Sequence, residues 1–252
     1  MAAEHTPPLR ERIEFLRVPV DIVAPERLTE AIYELLAAGT GRNIVLLSLW
    51  DLLRARRSGE YRSFVLNAGL IIPISKSLVS GIRFLTGKTA VRYMPFDLVI
   101  NILTLLENRE FSLYLLGAKP RVLQKTEKNI RQTFPGLRVV GRYIGAFKRQ
   151  EEATILQAIR KASPSLLLVG KGVSGGEQWI VKNNGQLSGG LRLWCSDLFE
   201  VFAERRKRPS RKTFDRGLEW LGYCLRNPLK FFRFFLYCWY KMLLLVYRVF
   251  KK

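Results

Sequence analysis

Short, largely apolar runs alternate with helix-periodic segments along the first 200 residues, and this alternation most limits the folds open to the chain. Residues 44–49, 112–116 (SLYLL) and 165–169 (SLLLV) carry no polar face, as strands buried on both sides require. Residues 63–72, closed by Pro73, residues 137–140 after the Pro135-Gly136 turn, and residues 192–195 read as further strands. Between them, residues 27–38, 96–106 (with Pro95 at the start), 121–133, 151–162 and 177–183 have helical periodicity. Strand–helix–strand repetition calls for crossover connections. The expected fold is therefore α/β: a doubly wound, mostly parallel sheet covered on both faces. Ligands in such folds lie beyond the carboxyl ends of the strands. Two glycine-bearing turns fall there, at Gly117 and across residues 170–176. Glycine lets the backbone approach a phosphate, and a helix N-terminus attracts the anion. Ordinary strand-to-helix connection chemistry accounts for the same glycines.

The pattern changes near residue 200. Residues 201–252 hold fourteen Lys and Arg against three acids, Glu204, Asp215 and Glu219. A basic run, RRKRPSRK, leads to FFRFFLYCWYKMLLLVYRVFKK, in which Arg233, Lys241 and Arg248 interrupt the apolar residues. Those interruptions leave runs far shorter than the ~20 residues of a membrane span. A helix lying in the membrane interface fits better. Phe231, Phe232, Phe235, Trp239 and Leu244 would enter the lipid, while Arg233, Lys241 and Arg248 meet anionic headgroups. A helix docked on the protein's own core or on another subunit is the alternative. Two domains are expected: an α/β nucleotide-sugar-binding domain over 1–200 and a C-terminal helical, membrane-associating appendage over 201–252.

The formal charge of +21 implies an anionic partner. Nucleic acid is not expected, because the basic tail is interleaved with aliphatic and aromatic residues and no nucleic-acid motif is present. Cys195, Cys224 and Cys238 have no metal or redox spacing, which suits a reducing compartment. The opening MAAEHTPPLRER lacks the apolar stretch of a signal peptide, so a cytoplasmic placement is expected. The single histidine, His5, lies in the polar start, so a histidine triad, a histidine general base and a His-ligated metal site are not expected. Acid–base work must fall to carboxylates, Lys or Tyr.

Several stretches together resemble one family, the WecB/TagA/CpsF glycosyltransferases. Val18-Pro19-Val20-Asp21 is similar to its opening motif. Leu115-Leu116-Gly117-Ala118-Lys119-Pro120, Phe134-Pro135-Gly136-Leu137 and Val140-Gly141 follow its central stretch. Val169-Gly170-Lys171-Gly172, Glu177 and Trp179 follow its third motif. Gly217-Leu218-Glu219-Trp220, with Pro228, Lys230 and Arg233, is similar to its C-terminal appendage. The resemblance implies transfer of a sugar, often an N-acetylated aminosugar, from a UDP-sugar donor to a polyprenyl-linked glycan acceptor. It implies inversion at the anomeric carbon, no metal and no cofactor. The location implied is the cytoplasmic face of the inner membrane, with the protein bound peripherally to the anionic surface.

The resemblance also assigns site residues. Arg92, Asp97, Gly117, Gly170, Gly172, Glu177 and Arg208 match donor-binding positions, and they are expected to border one cleft together with Glu200. Glu200 stands where the family has an aspartate and is a candidate catalytic carboxylate; Asp197 is a second. Four departures fall on the catalytic side. The position of the family's presumed catalytic aspartate holds Ile74. A Thr/Asn pair upstream is Leu46 and Ser48, and a Pro-Lys-Gln run is Ser174-Gly175-Gly176. Two readings follow: a glycosyltransferase with an altered site, or an inert relative. The inert relative binds nucleotide sugar or lipid-linked glycan, or scaffolds an active enzyme or a second copy of itself.

Overall fold

The computed structural model describes residues 8–217 and 233–250, apart from Thr40, Ser58, Ser188 and Pro209. A hairpin comes first, β1 (Glu11–Phe15) and β2 (Val18–Ile22), turned by Leu16 and Arg17, both at positive φ. Then follow α1 (Pro25–Ala37), β3 (Asn43–Leu47), α2 (Leu49–Ala55), α3 (Glu60–Leu66), β4 (Leu70–Pro73) and α4 (Lys76–Thr86). Next come α5 (Pro95–Asn108), β5 (Ser112–Leu116), α6 (Pro120–Thr133), β6 (Arg138–Tyr143), α7 (Glu152–Ala162) and β7 (Leu166–Gly170). The chain continues with α8 (Glu177–Asn183), β8 (Leu191–Ser196), α9 (Leu198–Phe202) and α10 (Arg211–Arg216). The last described helix is α11 (Arg233–Phe250).

The main sheet has six strands in the order β4-β3-β8-β7-β5-β6, and every pairing is parallel. The apolar runs alternate between two cores, as a strand period of two demands. In β7, Leu166 and Leu168 join the core with α1, α5, α6 and α9, while Leu167 and Val169 join the other. That second core takes in the hairpin, α2, α3, α4, α7, α8 and α11. The expected α/β fold is thus present, and all six carboxyl ends fall on one edge.

Residues 63–72 do not form the single strand expected of them. Tyr61, Phe64 and Val65 are buried at helical spacing in α3, and the strand β4 begins only at Leu70. The hairpin is tied to β4 through a buried carboxylate that sequence pattern did not single out as structural. Asp21, 1 % exposed, accepts from Arg12 Nε at 2.7 Å and Nη2 at 2.8 Å and from the backbone N–H of Ile71 at 2.7 Å. The Arg12 guanidinium is held above its ordinary pKa by that hydrogen bond, against the opposing effect of burial.

No described helix is long and apolar enough to cross a membrane. Instead α11 lies along α4. Tyr240 and Leu244 are buried, and the Tyr240 hydroxyl donates to the Ser77 carbonyl at 2.8 Å. Only glycine fits opposite: a Cβ at Gly81 would stand 2.0 Å from Tyr240 Oη. Near the helix end, Arg248 Nη1 donates to the Phe84 carbonyl at 2.6 Å and its guanidinium lies 4.4 Å from that ring's centre.

Candidate functional site

The carboxyl edge divides into two parts. In the first, the loops after β5, β6 and β7 are held together by backbone alone. Gly117 N donates to Tyr143 O at 2.9 Å, and Gly145 N donates to Ala118 O at 3.0 Å. Ala118 N donates to Lys171 O, and Lys171 N donates to Ser196 O at 2.8 Å. The packing leaves no room for side chains. A Cβ on Gly117, whose φ is +134°, would come within 2.7 Å of the Gly170 carbonyl oxygen, and one on Gly170 within 2.7 Å of the Phe199 ring. Gly172, at φ +107°, lies against Gly145. The N-terminus of α6 opens here, behind Lys119. The glycines predicted from sequence as one group are therefore brought together.

Charged groups border this glycine wall. Asp197 is paired with Lys171 at 3.3 Å and with Arg206. Two cations already engage Asp197. Glu200, half-buried on α9, forms no side-chain ion pair among the described residues, and its backbone carbonyl accepts from the N–H groups of Arg205 and Arg206. Asp97, in the first turn of α5, faces Arg208 at 3.9 Å and Arg211 at 3.7 Å. Phe96 and Phe202, with ring centres 5.0 Å apart, bridge the start of α5 to α9.

In the second part, beyond β3 and β4, side chains decide the shape. Arg92 Nε donates to the Ile74 carbonyl at 2.9 Å; Nη1 donates to the Phe214 carbonyl, and the guanidinium lies 3.7 Å from the Phe214 ring centre. Lys76 Nζ donates to the Asp215 carbonyl at 3.0 Å, so two cations hold the last carbonyls of α10. The Ile74 side chain packs, partly buried, on the core shared with α5. Ser48 caps α2 in a reciprocal capping box with Asp51.

Glu177 stands at the start of α8, whose Trp179 and Ile180 join the core of α2 and α3. That core lies on the face of the sheet opposite the one that takes in Phe199. The neighbours of Glu177 are Asp51 and Arg54 from α2 and Tyr61 from α3. Burial, then the Asp51 carboxylate, push the Glu177 carboxyl up to about 7, against the pull of the Tyr61 hydroxyl and Arg54. Asp51, Arg54 and Tyr61 were not legible as site residues. The sole signal was that Asp51 follows Ser48 by three residues.

Among the lipid-facing residues expected in the tail, Phe231 and Phe232 lie outside the described residues, and only the backbone of Arg233 is described. Phe235 and Trp239 are exposed, as is Lys241, which lies near the Tyr237 ring. Leu244 needs correction: it is buried against the core, one turn beyond Tyr240, and faces away from any lipid. Arg248 is exposed but also fastens α11 to α4. Among the described residues no group of His, Cys, Asp and Glu is arranged to hold a metal ion.

This layout belongs to a class of α/β proteins that bind ligands along the carboxyl edge of a parallel sheet. The chain is a member of the glycosyl transferase WecG/TagA/CpsF family, whose sequence profile matches residues 13–252. It is similar to the N-acetylglucosaminyldiphosphoundecaprenol N-acetyl-beta-D-mannosaminyltransferase of Bacillus spizizenii. That match is 23% identical over 179 residues, 71% of this chain and 69% of the relative. The enzyme of the same name from Bacillus subtilis is 21% identical over the same shares of the two chains. The one from Staphylococcus aureus strain NCTC 8325 is 22% identical over 161 residues, 64% of this chain and 63% of the relative. The family and these names support a glycosyltransferase of cell-wall glycan synthesis.

Proposed function

We propose that the protein transfers an N-acetylated aminosugar from a UDP-sugar to a polyprenyl-diphosphate-linked glycan at the membrane surface. The observation that carries this reading is the glycine wall at Gly117 and Gly170, bordered by Lys171, Arg206 and Arg208, in a chain of this family. Close backbone approach and fixed cations suit a leaving diphosphate. Arg92, Asp97, Gly172 and Glu200 complete the proposed border.

A second observation favours membrane association. The outward face of α11 exposes Phe235, Trp239, Met242, Leu245, Val246, Val249 and Phe250, at 41–82 % each, and α11 contains no acidic residue. Each large apolar side chain moved into lipid contributes about 1.5–3 kcal/mol. Each cation near an anionic leaflet contributes about 1 kcal/mol. On this reading residues 201–252 form an appendage that holds the carboxyl edge near the bilayer on its cytoplasmic side. The inert alternative is favoured by Ile74: its side chain, partly buried, packs against the core and its carbonyl is held by Arg92.

The deciding experiment incubates the purified protein with UDP-N-acetylmannosamine and a short polyprenyl diphosphate-N-acetylglucosamine, and measures UDP release and lipid-linked product. Product formation supports transfer. UDP-sugar binding without turnover establishes the inert reading. Arg92→Ala should weaken that binding by about 1.5–3 kcal/mol. Flotation with anionic vesicles tests the tail: high salt should leave the protein bound, because the apolar contribution is unscreened.

A further inference from the structure

The helix α11 runs beside α4 in the same direction. Tyr240 meets Ser77 and Gly81 in the first half of α4, and Arg248 meets Phe84 near its end. Where the two helices finish they leave an open groove of about 450 Å³, lined by Arg83, Phe84, Leu85, Gly87 and Arg248. Neither α4 nor α11 contains an acidic residue, and Glu11, near the groove's rim, is taken up by Lys88. Arg248 is fixed by its bond to the Phe84 carbonyl and its seat over that ring. A guanidinium has more donors than one carbonyl uses, so Arg248 keeps N–H groups for an anion. Arg83 is exposed, and its side chain forms no hydrogen bond or ion pair among the described residues. At about 100° per residue, the exposed Phe235, Trp239, Met242, Leu245, Val246 and Val249 fall within roughly 120° of the α11 circumference. Lys241 and Arg248 lie on one flank of that stripe, between it and the face docked on α4. A stripe this wide suits lipid, whereas the seam of a helix pair is narrower.

We propose that this groove is a headgroup site for an anionic glycerophospholipid. The phosphate lies between Arg83 and Arg248, and the acyl chains lie along the exposed stripe of α11. The proposal rests on the membrane-association reading and goes beyond it. Charge in the tail draws the protein to any anionic surface, whereas a groove with two arginines selects one molecule. The arginines offer N–H groups to a phosphodiester, and Phe84 and Leu85 supply apolar surface for the glycerol end of the chains. The lipid held here is distinct from the glycan acceptor. The carboxyl edge lies at the start of α4 and the groove at its end, about 16 Å away along an 11-residue helix. The lipid thus seats the flank formed by α4 and α11 on the bilayer and leaves the carboxyl edge free for donor and acceptor.

The test titrates the full-length protein with dihexanoylphosphatidylglycerol below its micelle concentration and follows the arginine Nε–H groups by NMR. Saturable shifts at Arg83 and Arg248 are expected. Dihexanoylphosphatidylcholine and inorganic phosphate should each bind at least about tenfold more weakly. Arg83→Gln should weaken phosphatidylglycerol binding about tenfold with the thermal unfolding midpoint unchanged, since Arg83 holds no other described group. Lys241→Gln removes the same charge beside the stripe but outside the groove, and should weaken binding less than about twofold. Flotation with phosphatidylglycerol-containing vesicles should rank the variants in the same order. Equal losses in the two variants would overturn the site in favour of diffuse charge attraction. An equal response to inorganic phosphate would overturn a lipid as its ligand. Concentration-dependent dimerisation with no response to phosphatidylglycerol would show that a second copy covers the stripe instead. If wild type and Arg83→Gln float equally well, the groove assignment fails and the membrane reading stands; if the wild type does not float, both fail.

Discussion

The two halves of the carboxyl edge are built by different means. Around β5 and β7, the shape is set by glycines and backbone hydrogen bonds, with Gly117 against Gly170 and Gly145 against Gly172. Around β3 and β4, it is set by side chains: Arg92 on Ile74 and Phe214, Ser48 on Asp51, Lys76 on α10. A backbone-built half tolerates almost no substitution, since any Cβ collides. A side-chain-built half can change its residues and keep its shape. That difference explains how positions 74 and 176 can depart from the pattern the family resemblance implies while the fold stays intact.

The comparison is broken most severely by Gly117→Val. It should cost about 3 kcal/mol or more, combining backbone strain with overpacking against Gly170, and the loss would be read by urea unfolding. A cost under 1 kcal/mol would mean that the glycine wall is loosely packed. On the side-chain half, Glu177→Gln should instead stabilise the protein at high pH. The folded carboxyl titrates at about 7, above its ordinary 4.5, so its contribution is fully present below 4.5 and is lost as pH rises through 7. After discounting for residual exposure, the wild type should lose about 2 kcal/mol between pH 5 and 8 that Glu177→Gln retains. Parallel stability–pH curves would show that the carboxyl is not perturbed.

Ile74→Asp sharpens the comparison further. Its side chain is partly buried on the α5 core, so a carboxyl there should cost about 1–2 kcal/mol in thermal unfolding. The smallest effect expected is Tyr240→Phe. Removing the hydroxyl that donates to Ser77 should cost about 1 kcal/mol and loosen α11 from α4, visible as faster amide exchange in both helices.

Apolar runs such as SLYLL and SLLLV determined the parallel strands by themselves, because a segment with no polar face has to be buried on both sides. The glycines at 117 and 170 were legible for a related reason: few residues other than glycine suit a tight strand-to-helix turn. The helix α3 was not legible, since Tyr61, Phe64 and Val65 satisfy helical burial yet run directly into β4. Nor was the tail's division into faces. Sequence showed apolar residues around the helix, but only packing on Gly81 decided that Tyr240 and Leu244 turn inward while Phe235 and Trp239 stay exposed. The same holds for Glu177. Its neighbours Asp51 and Tyr61 are more than a hundred positions away along the chain, and the interaction that lifts its carboxyl exists only because α2 and α3 pack beside α8. Periodicity records which face of an element is buried. It carries no information about which distant element covers that face, and a carboxyl's charge state depends on the groups that do.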